Sequence, residues 1–492
     1  MENIRIMLGK AKKTEPKLFY HGVSLERRMP KEHPLRKIKQ LVNFNFIRSQ
    51  VADTYGVNGN QSVDPAVILK LMFLLFYENI KSERALMKQM PLRMDWLWFC
   101  DYDLDEATPD HSVLSKARRR WGAEIFEQFF MNILQQCITA GLVDGETIYI
   151  DSSTIDANAD IDKVRPQLRR AAINLTDKLE DTSEPQQGNQ KKPEKRVNPS
   201  DPDARIGCKY GKSTLGFKDH RVVDDKHNII TSTITTPANI NDDKVLTEAV
   251  NSHQFKTATK AKIVTADKGY GTAANYKYLK ENNITPCILH NLHRSPDDRN
   301  FANDKFVYDS INDCCICPSG EKLYCKSTNT KTGVKRYAAD RQSCQKCNYF
   351  RKCVSGKKSG RSIYRNPDAE YWQWADGCLT IYQRKILLAR RKYKSEGSFA
   401  DAANNHGFKR ARWRGLTKMK IQNLMISAIQ NLRKLLRYVD INKKSSAYAA
   451  ALKSFFEDVN CACWRILSTG SICYEQILNY QRANPAYSEK FH

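Results

Sequence analysis

Glu146-Thr-Ile-Tyr-Ile-Asp151 reads as an apolar strand that delivers a carboxylate at its end. Lys262-Ile-Val-Thr-Ala-Asp267 repeats the pattern and runs straight into Lys268-Gly269-Tyr270, where the glycine suits a tight turn beside a charged centre. Between the two lie further strand signals, His220–Val223 and Ile229–Thr235, joined as a hairpin by Asp224-Asp225-Lys226-His227-Asn228. Asp242 to His253 reads as a helix, Ile263–Ala266 as a strand, Ala273 to Asn282 as a helix and Pro286–Leu289 as a strand. A parallel doubly wound fold has no need of the hairpin. The order therefore predicts a mixed α/β sheet of ribonuclease-H-like topology. In that topology the first strand and the later one lie side by side, so Asp151 and Asp267 are expected to converge.

A third acid, Glu396, sits in Lys394-Ser-Glu-Gly-Ser-Phe399, just upstream of Gly407-Phe-Lys-Arg-Ala-Arg-Trp-Arg-Gly415. Alone, each acid has a bland use, as a strand-end cap or a solvated helical glutamate. Together they are what a two-metal phosphoryl-transfer site needs. Magnesium takes hard oxygen ligands and keeps positions open for water and phosphate. Two ions roughly 3.5–4 Å apart can stabilise both oxygens of an in-line displacement. Mn2+ is the expected substitute for Mg2+.

The owner of the phosphate follows from charge. The 492 residues hold 80 Lys+Arg against 54 Asp+Glu, a net charge of +26. Such an excess points to a polyanionic partner, bound through counterion release, and here to DNA. Lys409, Arg410, Arg412 and Arg414 are candidate phosphate contacts, and Trp413 could stack on an unpaired base or pack in the core. No apolar run approaches the roughly 20 residues of a membrane-spanning helix. The N-terminal sequence has no signal-peptide pattern, so a cytoplasmic, nucleoid-associated protein is expected.

Length and composition predict several domains. Residues 1–122 read as a helical, basic, DNA-binding domain of helix-turn-helix type, or as a helical cap on the next one. Within it Pro65–Tyr77 is apolar nearly all round and should be a central core helix, with Asp64 as N-cap and Pro65 in its first turn. Residues 123–300 would hold the first part of the catalytic domain, interrupted by a charged insertion over 160–215. Residues 371–440 would return the chain to that domain with Glu396 and a late helix from about Leu416 to Leu436. Residues 441–492 read as a helical tail.

Between these, residues 301–370 read as a cysteine-rich insertion. Cys344-x2-Cys347-x5-Cys353 follows Cys314, Cys315, Cys317 and Cys325, so that seven of 15 cysteines fall within 40 residues. In a reducing compartment this favours structural Zn2+ over disulfides. Cys317, in its Cys-Pro-Ser-Gly turn, is the preferred fourth ligand beside Cys344, Cys347 and Cys353; Cys325 or Cys315 could replace it. Cys137, Cys287 and Cys473 are expected in cores.

Tyr-Ile-Asp151-Ser-Ser-Thr-Ile-Asp-Ala, Asp267-Lys-Gly-Tyr270 and Glu396-Gly-Ser-Phe-Ala-Asp, with His406-Gly-Phe and Arg414-Gly-Leu, resemble the DDE transposases of bacterial insertion sequences. Thr108-Pro-Asp-His-Ser112, Ser200-Asp-Pro-Asp-Ala-Arg205 and Gly216-Phe-Lys218 extend the likeness, closest in layout to the insertion sequence 1182 family. The resemblance implies a triad of Asp151, Asp267 and Glu396. It also implies end cleavage and strand transfer, on double-stranded DNA with terminal inverted repeats and on target DNA, by a homodimer. The family pattern carries a lysine seven residues after the glutamate, where this chain has Ala403. Lys409 or Arg410 could substitute; a DNA-binding relic that has lost catalysis, or a simple nuclease, is the alternative.

Overall fold

The computed structural model describes residues 24–56, 61–166, 196–209, 211–289, 305–330, 333–354, 360–365 and 369–441. Most of the expected charged insertion and nearly all of the expected tail lie outside these residues. The chain begins with α1 (Leu25–Arg28), α2 (Pro34–Leu41), α3 (Phe46–Val51), α4 (Pro65–Tyr77), α5 (Glu83–Gln89), α6 (Met94–Phe99), α7 (Ser112–Trp121) and α8 (Glu124–Thr139). Local chemistry sets α4. Asp64 accepts the Ala66 amide at 3.0 Å, Pro65 occupies the first turn, and every residue from Pro65 to Phe76 is buried. Even Lys70 is inside, its ammonium held 2.5 Å from the Asp101 carboxylate.

Next come β1 (Thr147–Asp156), a two-residue ladder of β2 (Arg165–Pro166) with β3 (Arg196–Val197), then β4 (Arg205–Lys209), β5 (Lys212–Asp224), β6 (Ile230–Pro237) and α9 (Leu246–Thr257). β5 is the spine. Its first half makes a hairpin with β4, and its second half lies antiparallel to β1 on one side and β6 on the other. β1 does not stop at Asp151, as the sequence suggested; it runs five residues further, pairing Ser153 with Asp219 and Ile155 with Phe217. The two serines, Ser152 and Ser153, interrupt the apolar strand run, and pairing with the long partner strand carries β1 through them to Thr154 and Ile155. Asp151 thus projects from mid-strand.

The chain then forms β7 (Ile263–Ala266), α10 (Ala273–Glu281), β8 (Thr285–Ile288), β9 (Val307–Asp309), β10 (Cys314–Ile316), β11 (Lys322–Thr328), β12 (Lys335–Ala338), α11 (Arg341–Gln345), α12 (Phe350–Cys353), β13 (Ser362–Arg365) and α13 (Ala369–Gly377). β7 and β8 are parallel, with α10 as their crossover. Strands β9 to β13 form a separate antiparallel sheet in the order β13-β12-β11-β10-β9. Two long helices close the fold, α14 (Ile381–His406) and α15 (Leu416–Ile441).

Two compact units result: Met1–Ala261 with Arg390–His492, and Lys262–Ala389. In the first, one hydrophobic cluster extends from Leu25 through α4 and α8 to Leu435 of α15. The N-terminal helices therefore share their core with the sheet and α15, and position 122 does not separate two cores.

The sheet binds α14 and α15 through a buried ion pair. Arg221 donates Nε to Asp219 at 2.7 Å, and both side chains are essentially inaccessible. Its Nη1 reaches Ser398 Oγ at 3.0 Å on α14 and Gln430 Oε1 at 2.9 Å on α15, while Phe399 and Phe408 rings flank the guanidinium. Removing one partner of a buried pair typically costs about 3–5 kcal/mol, whereas replacing both by apolar groups can be close to neutral. Arg221→Met should therefore lower stability in urea unfolding by about 3–5 kcal/mol. Adding Asp219→Leu to it should recover part of the loss; a double variant weaker than the single one would show that the pair is not the source.

Candidate active site

Asp151 faces α14. Its Oδ2 accepts Nη1 of Arg391 at 2.8 Å, and both side chains are mostly buried. One turn along, Lys394 reaches the Asp225 carboxylate at 2.7 Å, and Arg390 reaches it at 3.3 Å. Burial alone would push the Asp225 carboxyl up. The hydrogen bonds from Lys394 and from the Tyr149 hydroxyl outweigh it and hold the group below its usual range. Cations of α14 thus dock on two carboxylates of the sheet, and Arg221 fixes the helix again at Ser398, two turns beyond Arg391.

Glu396 rides on the clamped stretch between Arg391 and Ser398. It lies roughly 140° round the helix from Arg391 and is exposed. The fold brings its helix onto the face that carries Asp151, with the Glu396 side chain turned well away from the Arg391 contact. Asp267 belongs to the second unit, Lys262–Ala389. It follows the last residue of β7, is exposed, and caps the turn Lys268–Tyr270 by accepting the Lys268 amide at 2.8 Å. Tyr270 anchors this turn in the interior, and its carbonyl accepts Asn275 Nδ2 at 2.8 Å.

The basic segment after α14 divides into two groups. Lys409, Arg410 and Arg414 are exposed. The backbone here docks on the far end of β1, with the Asp156 amide on the Lys409 carbonyl at 2.9 Å and the Ala411 amide on the Asp156 carbonyl at 2.8 Å. Lys409 Nζ donates to Ser153 Oγ at 2.7 Å. Ser153 lies two residues beyond Asp151 and so on the same face of β1, which places the Lys409 ammonium along the face of the candidate acid.

Arg412 and Trp413 do not fit the expected DNA contacts. Arg412 Nη1 bonds the Leu75 carbonyl at 3.0 Å and also that of Ile80, Nη2 reaches Asn79 Oδ1 at 3.2 Å, and the guanidinium covers the Phe76 ring. It satisfies the carbonyl end of α4, and burial lowers its pKa to about 10. Trp413 stands edge-on to Phe76, ring centroids 5.6 Å apart, beneath the Arg118 guanidinium. Their partners lie some three hundred residues upstream, so nothing in the local run announces them.

Ser200–Arg205 and His406-Gly-Phe408 also serve helix ends. Asp201 and Asp203 of Ser200–Arg205 accept the Gly415 amide at 3.1 Å and the Leu416 amide at 3.0 Å, capping α15. His406 lies buried with Nδ1 2.8 Å from the Phe76 carbonyl, its pKa driven down to about 4 by burial. Gly407 takes φ +62 to turn the chain out of α14. Neither Arg221 nor Arg391 is among the site residues expected from the sequence. The available signal was the polar run Lys218-Asp219-His220-Arg221 in the middle of a strand, with Phe217 before it and Val222-Val223 after it.

In the second unit, Cys317, Cys344, Cys347 and Cys353 line one cavity of about 140 Å3. Backbone amides already point at two of the sulfurs, Arg361 to Cys344 Sγ and Tyr349 to Cys347 Sγ, each at 3.4 Å. Burial raises the Cys353 thiol, and the other three cysteines of the cavity act on it electrostatically in the same direction. Cys315 is buried in the neighbouring core, its thiol pushed up to about 11, and Cys325 bonds toward Ser327 and Thr328, away from the cavity. Among the described residues no group of three or more His, Cys, Asp or Glu is gathered closely enough to hold a metal as it stands.

Two family models match this chain. One, described as a Transposase domain (DUF772), covers residues 23–120; the other, described as a Transposase DDE domain, covers residues 316–436. The chain is a DDE-type DNA transposase. It is accordingly a DNA-cleaving and strand-transferring enzyme. The second match takes in the cavity cysteines, Glu396 and the basic segment, whereas Asp151 and Asp267 lie between the two matches. No curated protein matches the transposase. Among solved structures, a piggyBac transposase in a synaptic complex with hairpin DNA aligns over 91% of this chain and 83% of that one, at 7% identity and a TM-score of 0.33, a likeness too distant to carry an argument.

The two groups of the basic segment should respond differently to alanine. Arg412→Ala should cost roughly 1.5–3 kcal/mol of stability, because it strips charged hydrogen bonds from a buried helix end. Arg410→Ala should leave the melting curve alone and reduce the salt slope of DNA binding by about 0.9. The reverse assignment of effects would place Arg412, not Arg410, on the DNA.

Proposed function

We propose that Asp151, Asp267 and Glu396 are the carboxylates of the transposase active site, carried by a ribonuclease-H-like catalytic domain. The observation that favours this most is the double clamp of α14 onto the face of β1 that bears Asp151, through Arg391 and through Arg221. The donors suit Mg2+, or Mn2+ in its place: all are carboxylate oxygens, two of the three acids are exposed, and none is tied into a hydrophobic core. Two such ions would supply positive charge at the attacking and leaving oxygens.

The chain's own groups do the positioning. In cleavage a water oxygen bonds to phosphorus as the 3′ oxygen leaves, freeing a 3′-hydroxyl at the element's end. That hydroxyl then attacks a phosphodiester of target DNA, displacing the target's own 3′ oxygen. Lys409, beside Ser153 on the face of Asp151, can neutralise a phosphate on the reacting strand, which Ala403 cannot. Arg410 and Arg414 extend that cationic edge. Arg391 neutralises Asp151 until DNA and cation arrive. The substrate in this reading is an insertion-sequence end with terminal inverted repeats, bound by a homodimer. The layout favours the insertion sequence 1182 family and a nucleoid-associated, cytoplasmic setting.

Asp151→Asn should reduce both cleavage and strand transfer by about a hundredfold or more while sparing duplex binding. Strong residual joining by the variant would remove Asp151 from the site; the same measurement applies to Asp267→Asn and Glu396→Gln.

We also propose that Cys317, Cys344, Cys347 and Cys353 hold one structural Zn2+. The shared cavity and the amide groups aimed at Cys344 and Cys347 support it, since zinc thiolates take such bonds as outer-shell partners. Zinc would supply cross-links to a small sheet with few core residues of its own. Protein purified under reducing conditions should contain about one zinc per chain. Cys344→Ser with Cys347→Ser should lose it and expose the 310–360 region to protease; folded wild type without zinc would end the proposal.

A further inference from the structure

The sheet of β9 to β13 has two unlike faces. Leu323, Tyr337 and Ile363 turn inward, onto the small core against which Cys317, Cys344 and Cys353 pack. The opposite face carries two bare aromatic rings, Tyr324 exposed to 54% and Tyr364 to 64%. Ser327, Arg336 and Tyr364 are direct cross-strand partners, forming one row over β11, β12 and β13. Tyr324 stands in the adjacent row on the same face, opposite Ala338. Lys322 precedes it by two residues, and Lys326 is the extra residue of a bulge between Cys325 and Ser327. Lys322, Lys326 and Arg336 are all exposed.

Among the described residues no hydrogen bond or ion pair engages the side chains of Tyr324, Lys326, Arg336 or Tyr364. Beside the row opens a recess of about 370 Å3, lined by Ser327, Thr328, Asn329, Val334, Arg336 and Tyr364. Among the described residues of these strands Asp309 is the acidic one on this face, and Asn312 Nδ2 donates to its carboxylate at 2.7 Å. The surface therefore offers flat apolar rings, cations between them, and a polar-walled recess next to one ring.

A single exposed tyrosine needs no explanation, but this combination selects a partner. The partner must bring negative charge for the cations and flat faces for the rings. Duplex DNA brings the charge and hides its base faces in the stack. An unpaired strand brings both, and stacking on aromatic side chains tolerates any base. We propose that this outer face binds unpaired bases of a single DNA strand, stacking them on Tyr324 and Tyr364 with Arg336 and Lys326 on the phosphates and one base edge in the recess. The site lies in the second unit and does not depend on which carboxylates are catalytic.

The test uses the full-length protein and two fluorescein-labelled probes, an oligothymidylate and a duplex of equal length, followed by anisotropy. Wild type should bind the single strand, and Tyr324→Ala with Tyr364→Ala should weaken that binding by about tenfold or more. Duplex affinity should stay within about twofold, since the duplex has other cationic contacts. Both rings are exposed, so circular dichroism melting should not change. Tyr364→Phe keeps the ring and should bind the single strand like wild type; Arg336→Ala should reduce the single-strand salt slope by about 0.7. Light-induced crosslinking of wild type to an iodouracil-substituted strand, mapped by peptide, should land on residues 322–365, which holds the test open if the double variant misfolds. The proposal falls if wild type ignores the single strand, if the double variant loses neither probe or both equally, if phenylalanine is as damaging as alanine, or if the crosslinks map elsewhere.

Discussion

The Arg221–Asp219 pair is the interaction on which the rest of the first unit hangs. A guanidinium taken out of water needs partners for its donors, and those of Nε and Nη1 come from three elements at once: its own strand, α14 through Ser398, and α15 through Gln430. α14 is otherwise a poor packing element, with many charges and exposed turns. Apolar burial alone would let it slide or roll. The ion pair fixes its rotation, so that Arg391 meets Asp151. α15 is held by the same logic, its buried amides reading the sheet directly: Asn431 bonds both the amide and carbonyl of Ile230, and Asn423 bonds Thr235.

Helix ends supply the second layer of organisation. Every helix leaves unanswered carbonyls at one end and amides at the other, and a buried end must find partners. Here the partners come from distant sequence. Arg412 and His406 close the carbonyl end of α4, and the aspartates of Ser200–Arg205 close the amide end of α15. The stretch from His406 to Gly415 thus welds the N-terminal helices to the sheet, while Lys409, Arg410 and Arg414 stay outside. One short basic run thus divides its cations, Arg412 turning inward onto α4 and Lys409, Arg410 and Arg414 outward.

The cysteine-rich sheet is built on the opposite principle. Its core is small, so the inward face is crowded with thiols and a few aromatic and aliphatic groups, and the proposed zinc would do the work that apolar area cannot. The outward face carries Tyr324, Tyr364, Lys326 and Arg336, whose side chains make no hydrogen bond or ion pair among the described residues. A strand pattern of alternating burial makes such a division of labour cheap: one residue in two holds the sheet, the next meets a partner.

Much of this was legible in the chain itself. Asp64 and Pro65 before an unbroken apolar run specify α4, because capping and apolar content act over a few residues. Ile263–Ala266 and the hairpin of β5 with β6 follow from apolar strand runs and turn residues; the cysteine spacing grouped Cys344, Cys347 and Cys353 and left the fourth position open among Cys317, Cys325 and Cys315, of which Cys317 lines the same cavity. What the sequence could not decide was the continuation of β1 past Asp151, since Asp151-Ser152-Ser153 breaks the apolar run and only pairing with β5 carries the strand across it. Nor could it sort the basic segment. Arg410 and Arg412 are the same residue two positions apart, yet one is exposed and the other caps α4. Local sequence determines what a side chain can do through its charge, shape and hydrogen-bonding groups. Which of those it does here depended on a partner hundreds of residues away, and only the packed tertiary structure brings that partner within reach.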